Sequence, residues 1–249
     1  MKEHINLLKI CVFCGLVFSS LFFTSASFAH SFEAGEELIY DVKVMGIKAG
    51  VQKMKCAGIV DYKGQKAYQL MSETGSTSFF SLFYKVCDKL KSIVEAETLL
   101  PFYFEKDTLE GGRKEHLKVE FDQKDLLAKV TKMDKDEVKE ISLPAPTFDI
   151  LSLTYFLRTK PLELGDTFAV ILLTKDEPIK TNIEVVKTEE VETRLGKFKT
   201  VMVRRKDDGE HIAFWFSRDS RRIPVKIEVE TQIGTLSAVL KRIKEGVIK

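Results

Sequence analysis

The sequence has little of what several classes of protein require. It contains four cysteines among 249 residues, too few for a disulfide-dense scaffold. Lysine and arginine number 39 and aspartate and glutamate 37, so the net charge of +2 gives no basic excess for nucleic-acid binding. Hydrophobic residues nevertheless make up 44% of the chain, which excludes wholesale disorder. The composition indicates a globular protein with no nucleic-acid partner.

Motifs for catalysis and metal binding are also missing. There is no G-x-S-x-G or S-x-x-K motif of a serine hydrolase and no glycine-rich phosphate loop. His30, His116 and His211 contain no pair at metal-ligand spacing. We therefore predict a protein that is not an enzyme, with no metal and no cofactor. An enzyme acting on envelope polymer stays open as an alternative, because 37 acidic residues could contain a catalytic carboxylate pair.

Residues 1–29 have the pattern of a secretory signal peptide. Lys2 and Lys9 bracket a short polar start, and an almost wholly apolar run follows over residues 10–23. Ser27 and Ala29 are small residues at positions −3 and −1 of a cleavage site. We predict cleavage after Ala29 and an exported, periplasmic chain of residues 30–249. An uncleaved anchor helix is the alternative, although the run is shorter than the roughly 20 residues that span a bilayer.

Two cysteines, Cys56 and Cys87, remain after this cleavage. The oxidising compartment of an exported protein allows them to form a disulfide. The alternative is two separate buried thiols, since free cysteine packs like a small hydrophobic residue. The sequence does not show whether the two side chains meet.

Alternation of apolar and polar residues predicts β-strands through most of the mature chain. It is clear over residues 37–44, 117–122 and 225–230, and turn signals separate such runs. We predict a mainly β protein, an antiparallel meander that forms a curved sheet or half-open barrel with one or two short helices. Residues 147–159 are predicted to form a helix, and residues 76–83 a short helix or an ordered loop.

Landmark residues recur in the same order in two parts of the chain. Gly35 and Gly165 each open a strand, and Pro101 and Pro224 each enter one. Further pairs are Gly64 with Gly196 and Gly112 with Gly234. We interpret residues 30–249 as a single β-rich domain with half-repeats over 33–133 and 163–243, connected by the helix over 147–159. Chance recurrence of glycine and proline is the alternative.

Several blocks of the sequence resemble a known bacterial family. Residues 32–40 (FEAGEELIY) and 46–50 (GIKAG) are similar to the opening of an exported family, domain of unknown function 3108. Residues 149–158, 161–165 and 222–224 resemble its later blocks. The resemblance spans most of the mature chain and implies a fold and a compartment but no activity. A looser resemblance links residues 215–225 to periplasmic lipoprotein carriers, which are half-open β-barrels around a lipid-sized cavity.

Aromatic residues provide the candidate ligand surface. They are Phe79, Phe80, Phe83 and Tyr84 in the segment that interrupts the strands, Phe102 and Phe104 on one strand, and Phe214 and Trp215 on another. The strand residues belong to the consecutive aromatic runs 102–104 (FYF) and 214–216 (FWF), which place rings on both faces of a strand and so require a covering layer, a ligand or a partner. The functional interpretation is a curved sheet around an apolar pocket, with residues 79–84 as a lid or a lip that touches a membrane. Cover by helices and long loops of the chain itself is the alternative.

Arg158 and Arg222 are the candidates for orienting a polar headgroup. Arg158 ends the predicted helix, where it caps the helix, pairs with an acid or stands at a cavity mouth. Arg222 belongs to a basic group with Arg218 and Arg221, and such groups are also typical of exposed turns.

These observations favour a periplasmic, non-enzymatic binding or carrier protein for an apolar or amphipathic ligand such as a lipid. The alternative is a cell-envelope interaction or structural module whose exposed aromatic residues bind a protein partner. Peripheral contact with a membrane is expected on the carrier hypothesis. A cavity that is closed, or filled by its own side chains, would favour the interaction module.

Overall fold

The described part of the protein consists of fifteen strands and two short helices. The computed structural model describes residues 31–174, 176–205, 212–231 and 234–246, and the predicted signal peptide, His30 and His211 lie outside these ranges. The strands are β1 Glu37–Val44, β2 Ile47–Tyr62, β3 Gln65–Ser76, β4 Val86–Glu95, β5 Pro101–Glu110, β6 Arg113–Asp122, β7 Leu127–Lys132, β8 Glu137–Ser142, β9 Thr147–Phe148, β10 Thr167–Thr174, β11 Glu177–Thr193, β12 Gly196–Arg205, β13 Ile212–Ser217, β14 Pro224–Thr231 and β15 Gly234–Lys244. The helices are α1 Ser78–Ser81 and α2 Ile150–Arg158. The predicted mainly β fold is confirmed.

All the strands belong to one curved, open sheet. Its order is β8-β7-β6-β5-β4-β3-β2-β1-β15-β14-β13-β12-β11-β10-β9, so the first and last strands pair with each other near its centre. The predicted antiparallel meander is therefore correct, and only the short β9 runs parallel to its neighbour β10. Since β1, β3, β5, β10 and β12 all run in the same direction, the C-terminal ends of these strands lie at one end of the sheet. We call this end the rim.

Side chains connect the two edges of the sheet. Asp176, beside the β10–β11 turn, forms ion pairs with Lys132 (2.7 Å) and Lys139 of β7 and β8. Hydrogen bonds from these two lysines hold the pKa of the Asp176 carboxyl at about 2. At the opposite end, the Gln123 amide exchanges hydrogen bonds of 2.8 and 3.0 Å with the backbone of Thr147. The open sheet is thereby held in the shape of an incomplete barrel.

The openings of the two proposed half-repeats share one backbone geometry. The Gly35 N–H donates to the Cys56 carbonyl at 2.7 Å, and the Gly165 N–H donates to the Val185 carbonyl at 2.9 Å. Both glycines have a φ of 89°, in the left-handed region that favours glycine. The match gives a structural reason for the recurring glycines, and a common origin of the two halves stays a hypothesis.

Helix α2 lies inside the curve of the sheet. Asp149 caps it: Oδ1 accepts from the backbone N–H groups of Leu151 (2.8 Å) and Ser152 (3.0 Å), and Oδ2 accepts from the Ser92 hydroxyl of β4 (2.7 Å).

The predicted helix over residues 147–159 is shorter in the structure, because Thr147–Phe148 forms strand β9 and pairs with β10. In the described ranges, no helix is long and apolar enough to cross a membrane.

Two sides of α2 pack against two parts of the core. Leu151 and Tyr155 join the cluster formed mainly by the central strands on either side of β1. Leu153 and Leu157 join the cluster formed by β10 to β13. Each pair is spaced four residues apart and so lies on one side of the helix. The helix thus forms the central element on which both arms of the sheet pack.

Arg158 anchors the last turn of α2. Its side chain is fully buried and forms a bidentate ion pair with Glu36, with Nη1–Oε1 at 2.6 Å and Nη2–Oε2 at 3.0 Å. Its Nε and Nη2 also donate to the Arg221 carbonyl, and Nη2 donates to the Ser31 carbonyl. All three guanidinium nitrogens are therefore engaged within the protein. The headgroup role predicted for Arg158 is wrong in this fold, and of the alternatives the pairing with an acid is the one that the structure shows.

Outward-facing aromatic residues are covered by long hairpins of the chain itself. Phe102 stacks on Tyr62, which lies at the end of the β2–β3 hairpin, with ring centroids 5.6 Å apart. Trp215 is buried, and its indole N–H donates to Glu189 of the long strand β11. The Lys226 ammonium lies 4.3 Å from the centroid of the same ring. A covering layer, rather than a ligand, therefore accounts for these two aromatic side chains.

Cys56 and Cys87 are both free. Cys56 pairs with Leu70 of β3, whereas Cys87 pairs with Gly75 on the other side of the same strand. These positions are five residues apart, or about 17 Å along a strand, which exceeds the roughly 7 Å that a disulfide allows between Cα atoms. Cys56 is buried, and burial raises the pKa of its thiol to about 12, while Cys87 is exposed. The alternative of separate thiols is correct, although only one of them is buried.

We predict that Glu36→Gln lowers the free energy of unfolding by about 3–5 kcal/mol, because the Arg158 guanidinium would stay buried without a counter-charge. The matched control is Glu33→Gln, since the Glu33 side chain is exposed, and we expect its effect to be within about 0.5 kcal/mol. Urea denaturation measures both changes. Equal stability of the two variants would contradict the anchoring role of Arg158.

Candidate ligand cavity

A cavity of about 400 Å³ lies between α2 and the rim-end halves of the strands. Its volume is within the range of small-ligand pockets, roughly 300–1,000 Å³. The cavity exists because α2 is only nine residues long. The helix starts beside Ser92, in the middle of the sheet, and ends beside Glu36 at the end opposite the rim. The half of the interior nearest the rim is therefore left unfilled by the helix.

One wall of the cavity is mainly apolar. It is formed by α2 and by the strands β10 to β14, which contribute Leu157, Leu172, Ile183, Val203, Phe214 and Val229. Apart from Leu157 of α2, these side chains belong to the inner face of the sheet, which continues into the core beneath the helix. Apart from Arg204 and Arg205 at the rim end of β12, this wall can accept an alkyl chain or a ring without leaving polar groups unpaired.

The opposite wall is polar. It is formed by β2 to β5, which contribute Gln52, Thr74, Asp88, Lys106, Thr108 and Glu110. On each strand these residues alternate with exposed outward residues such as Glu73, Lys89 and Asp107. The rim-end halves of these strands are therefore polar on both faces, unlike the halves near α2, where the inner face is apolar. The two walls together give the cavity an amphipathic character.

Asp88 is the unusual group of the polar wall. Its Oδ1 atom is buried and, within the part of the chain that the structure describes, has no hydrogen-bond partner, although the backbone N–H of Leu109 lies near the carboxyl group. Burial, and secondarily the charge of Glu110, raise the pKa of its carboxyl to about 6. The backbone N–H of Leu109 and the charge of Lys106 oppose this shift of the pKa. A buried acceptor that lacks a partner in a cavity wall is a feature of binding sites for polar groups.

An exposed apolar surface lies at the rim. We call it the apolar rim, and it consists of Met45 and Ile47 in the β1–β2 hairpin and of Phe79, Leu82 and Phe83 in and after α1, each at least 70% exposed. The two parts adjoin because the Thr77 N–H, which precedes α1, donates to the Ala49 carbonyl of β2 at 2.7 Å. Large side chains exposed together in this way indicate a surface for contact with a partner or a membrane.

Tyr84 fixes the chain that leaves α1. Its ring lies against Gly111 in the β5–β6 turn, where an added Cβ atom would collide with it. Gly111 also has a φ of 57°, which side chains rarely adopt. The predicted short helix over 76–83 is thus a single turn, Ser78–Ser81, held to the rim by its two flanking residues Thr77 and Tyr84.

The structure separates the predicted site residues into several places. Phe104 and Phe214 line the cavity. Phe79, Phe80, Phe83 and Tyr84 lie at the rim, outside the cavity lining, whereas Phe102 and Trp215 lie on the outer face beneath the hairpins. Arg158 is in its buried ion pair, and Arg222 has a φ of 43° in the turn before β14. The described residues contain no group of three or more His, Cys, Asp or Glu that could hold a metal ion.

The sequence reasoning missed the polar wall, including Asp88. In a one-sided sheet, the alternation places polar residues on the outward face, so it gives no reason to expect Asp88 inside. The available signal was that residues 87–91 carry polar side chains on both faces of the strand, with Asp88 on one face and Lys89 and Lys91 on the other. A strand that is polar on both faces, next to a core, indicates an internal surface in contact with water or a ligand.

The fold and the cavity define an open β-sheet protein curved around a central helix, of the β-barrel-like kind. The chain belongs to the family described as "Protein of unknown function (DUF3108)", whose model matches residues 39–241. The predicted family membership is confirmed. No curated protein matches the chain.

Several solved structures are similar to the chain at low sequence identity. A β-barrel-like protein of domain of unknown function DUF1849 from Brucella abortus is 12% identical with a TM-score of 0.58, over 87% of this chain and 99% of that one. A lipoprotein candidate from Parabacteroides distasonis is 13% identical with a TM-score of 0.36, over 86% and 98% of the two chains. A candidate exported protein with a YmcC-like fold from Bacteroides fragilis is 12% identical with a TM-score of 0.36, over 87% and 98%. The first of these similarities supports the β-barrel-like fold.

Proposed function

We propose that the protein is an exported, non-enzymatic binding or carrier protein for an amphipathic ligand. The observation that supports the proposal is the cavity with one apolar and one polar wall. An alkyl chain placed against the apolar wall gains about 0.8 kcal/mol for each methylene removed from water. The polar end of the same molecule then faces the side chains of β2 to β5. Binding of this kind requires no covalent step and no cofactor.

The proposal requires that the protein is exported to the periplasm. It is supported by the signal-peptide pattern of residues 1–29, in which a basic start, an apolar run and the small residues Ser27 and Ala29 follow one another. The free cysteines are compatible with an oxidising space, because Cys56 and Cys87 lie too far apart to form a disulfide within the chain. In the periplasm the protein would meet amphipathic molecules that leave or enter membranes.

We predict that Thr74→Trp lowers the affinity for the apolar fluorescent probe N-phenyl-1-naphthylamine at least about tenfold, because the indole would occupy the cavity. Thr74 is half-buried and faces the cavity from β3. The matched control is Glu73→Trp, which places the same indole on the exposed outer face one residue away. Fluorescence titration measures both affinities, and thermal unfolding shows that both variants are folded.

Failure of the wild-type protein to bind the probe would contradict the proposed function. Equal loss of binding in the two tryptophan variants would also contradict it, because the probe would then bind elsewhere. Loss confined to Thr74→Trp supports the cavity as the binding site.

A second function, contact with a membrane surface, is favoured by the apolar rim. The rim carries Phe79, Leu82 and Phe83 at 70%, 79% and 77% exposure. Exposed basic residues, Lys85 and Arg113, lie beside it at the same end of the sheet, which suits an anionic bilayer. The cavity is at this end too, so a bound membrane would lie next to it. We propose that the apolar rim inserts into the lipid surface with which the protein exchanges its ligand.

We predict that changing Phe79, Leu82 and Phe83 together to Ser lowers binding to vesicles of phosphatidylethanolamine and phosphatidylglycerol at least about tenfold, because the rim would lose its apolar area. The matched control changes Leu164 and Leu195 to Ser, which are also exposed but lie at the opposite end. Vesicle flotation measures the bound fraction. Absence of wild-type binding, or equal loss in the control, would contradict the membrane proposal and favour a protein partner at the rim.

A further inference from the structure

The polar wall contains a group of acceptors arranged around Asp88. In the pairing of β3, β4 and β5, Thr74 and Thr108 are the direct cross-strand neighbours of Asp88. Side chains at such positions start about 4.5–5.5 Å apart, so the two hydroxyls lie within reach of one small headgroup together with the carboxyl. All three side chains line the cavity. The unpartnered Oδ1 atom of Asp88 is the buried acceptor among them.

The charges near Asp88 favour a cation. The charged groups that act on the Asp88 carboxyl are Glu110 and Lys106 of β5. Lys106 is already paired with Glu115, with Nζ and Oε2 3.0 Å apart. From β3 the facing residue is the uncharged Thr74, and from β2 it is Gln52. Arg204 and Arg205 also line the cavity, but they lie on β12 in the other arm of the sheet.

We propose that the polar wall binds a primary ammonium headgroup, with Asp88 as the acceptor that recognises it. The ligand of the cavity is then an amphipath with an amino group, and this inference rests on the proposed function of the cavity. An ammonium group has three N–H donors, which match one carboxylate and two hydroxyl acceptors. A carboxylate headgroup would face Asp88 and Glu110 with the same sign of charge.

The pH dependence of such binding has a defined direction. The carboxyl of Asp88 has its pKa raised to about 6 in the free protein, chiefly by burial. A bound ammonium group would lower that pKa, so the carboxylate form is the one that binds. Affinity is therefore full above pH 6 and is lost as the pH falls below it, by about tenfold at pH 5. The amino headgroup stays protonated over this range, since primary amines of this kind have a pKa near 10.4.

The experiment compares three probes that share one alkyl chain. Dodecylamine, dodecanol and dodecanoate are each used below their aggregation limits to displace N-phenyl-1-naphthylamine from the full mature chain at pH 7.5. We expect dodecylamine to bind at least about tenfold more tightly than dodecanol in the wild type, and dodecanoate to bind most weakly. In Asp88→Asn the preference for dodecylamine over dodecanol should fall to about threefold or less.

A matched control separates this site from a general effect of charge. Asp107→Asn makes the same change on the exposed outer face of β5, and it should keep the wild-type preference. The wild-type protein supplies an independent measurement that needs no variant: dodecylamine affinity should fall about tenfold from pH 7.5 to pH 5, while dodecanol affinity stays constant. Thermal unfolding of each variant shows that it is folded.

Two kinds of failure are distinguishable. If dodecanol and dodecylamine bind equally in the wild type, or if Asp88→Asn keeps the preference, the Asp88 inference is overturned and the cavity function stands. Tightest binding of dodecanoate would also overturn the inference, because the cavity would then select an anion. If none of the three probes binds, the proposed function itself is overturned.

Discussion

The helix inside the sheet is the constraint on which the rest of the structure depends. It is fixed at both ends by buried polar groups: Asp149 joins its first turn to Ser92, and Arg158 joins its last turn to Glu36. A sheet of fifteen strands that does not close would otherwise have an uncovered concave face. The helix supplies apolar side chains to both arms of the sheet. The ion pair between Arg158 and Glu36 fixes the position of its last turn inside the sheet. The cavity lies between the N-terminal end of the helix and the rim.

The cavity is amphipathic because its two walls come from different parts of the chain. The arm from β10 to β14 contributes mainly apolar side chains, with Arg204 and Arg205 at its rim end, whereas the arm from β2 to β5 changes to Thr74, Asp88 and Thr108. Buried polar groups without partners cost free energy, so a wall of this kind is stable when water or a ligand reaches it. The same end of the molecule carries the exposed side chains of the apolar rim. The apolar wall, the polar wall and the apolar rim together support one account, in which an amphipathic ligand enters and leaves the cavity at the rim.

Much of the fold was predictable because it follows from local patterns. Period-two alternation identified strands such as β1, β6 and β14, and the apolar residues within 147–159 indicated α2. The site was less predictable because it depends on contacts distant in sequence. Arg158 meets Glu36 across 122 residues, and the rings of Phe102 and Trp215 are covered by hairpins that no local pattern reveals. Alternation also cannot identify the inward face of a strand that is polar on both faces, as around Asp88.

The central claim is that the cavity holds an amphipathic molecule in the cell. The most direct measurement is native mass spectrometry of the mature protein, purified from the periplasm without detergent, followed by solvent extraction of whatever is bound. The account predicts a stoichiometric adduct that dissociates as a molecule with an alkyl chain and a polar headgroup. An unliganded mass that stays unchanged after incubation with membrane lipids would contradict it.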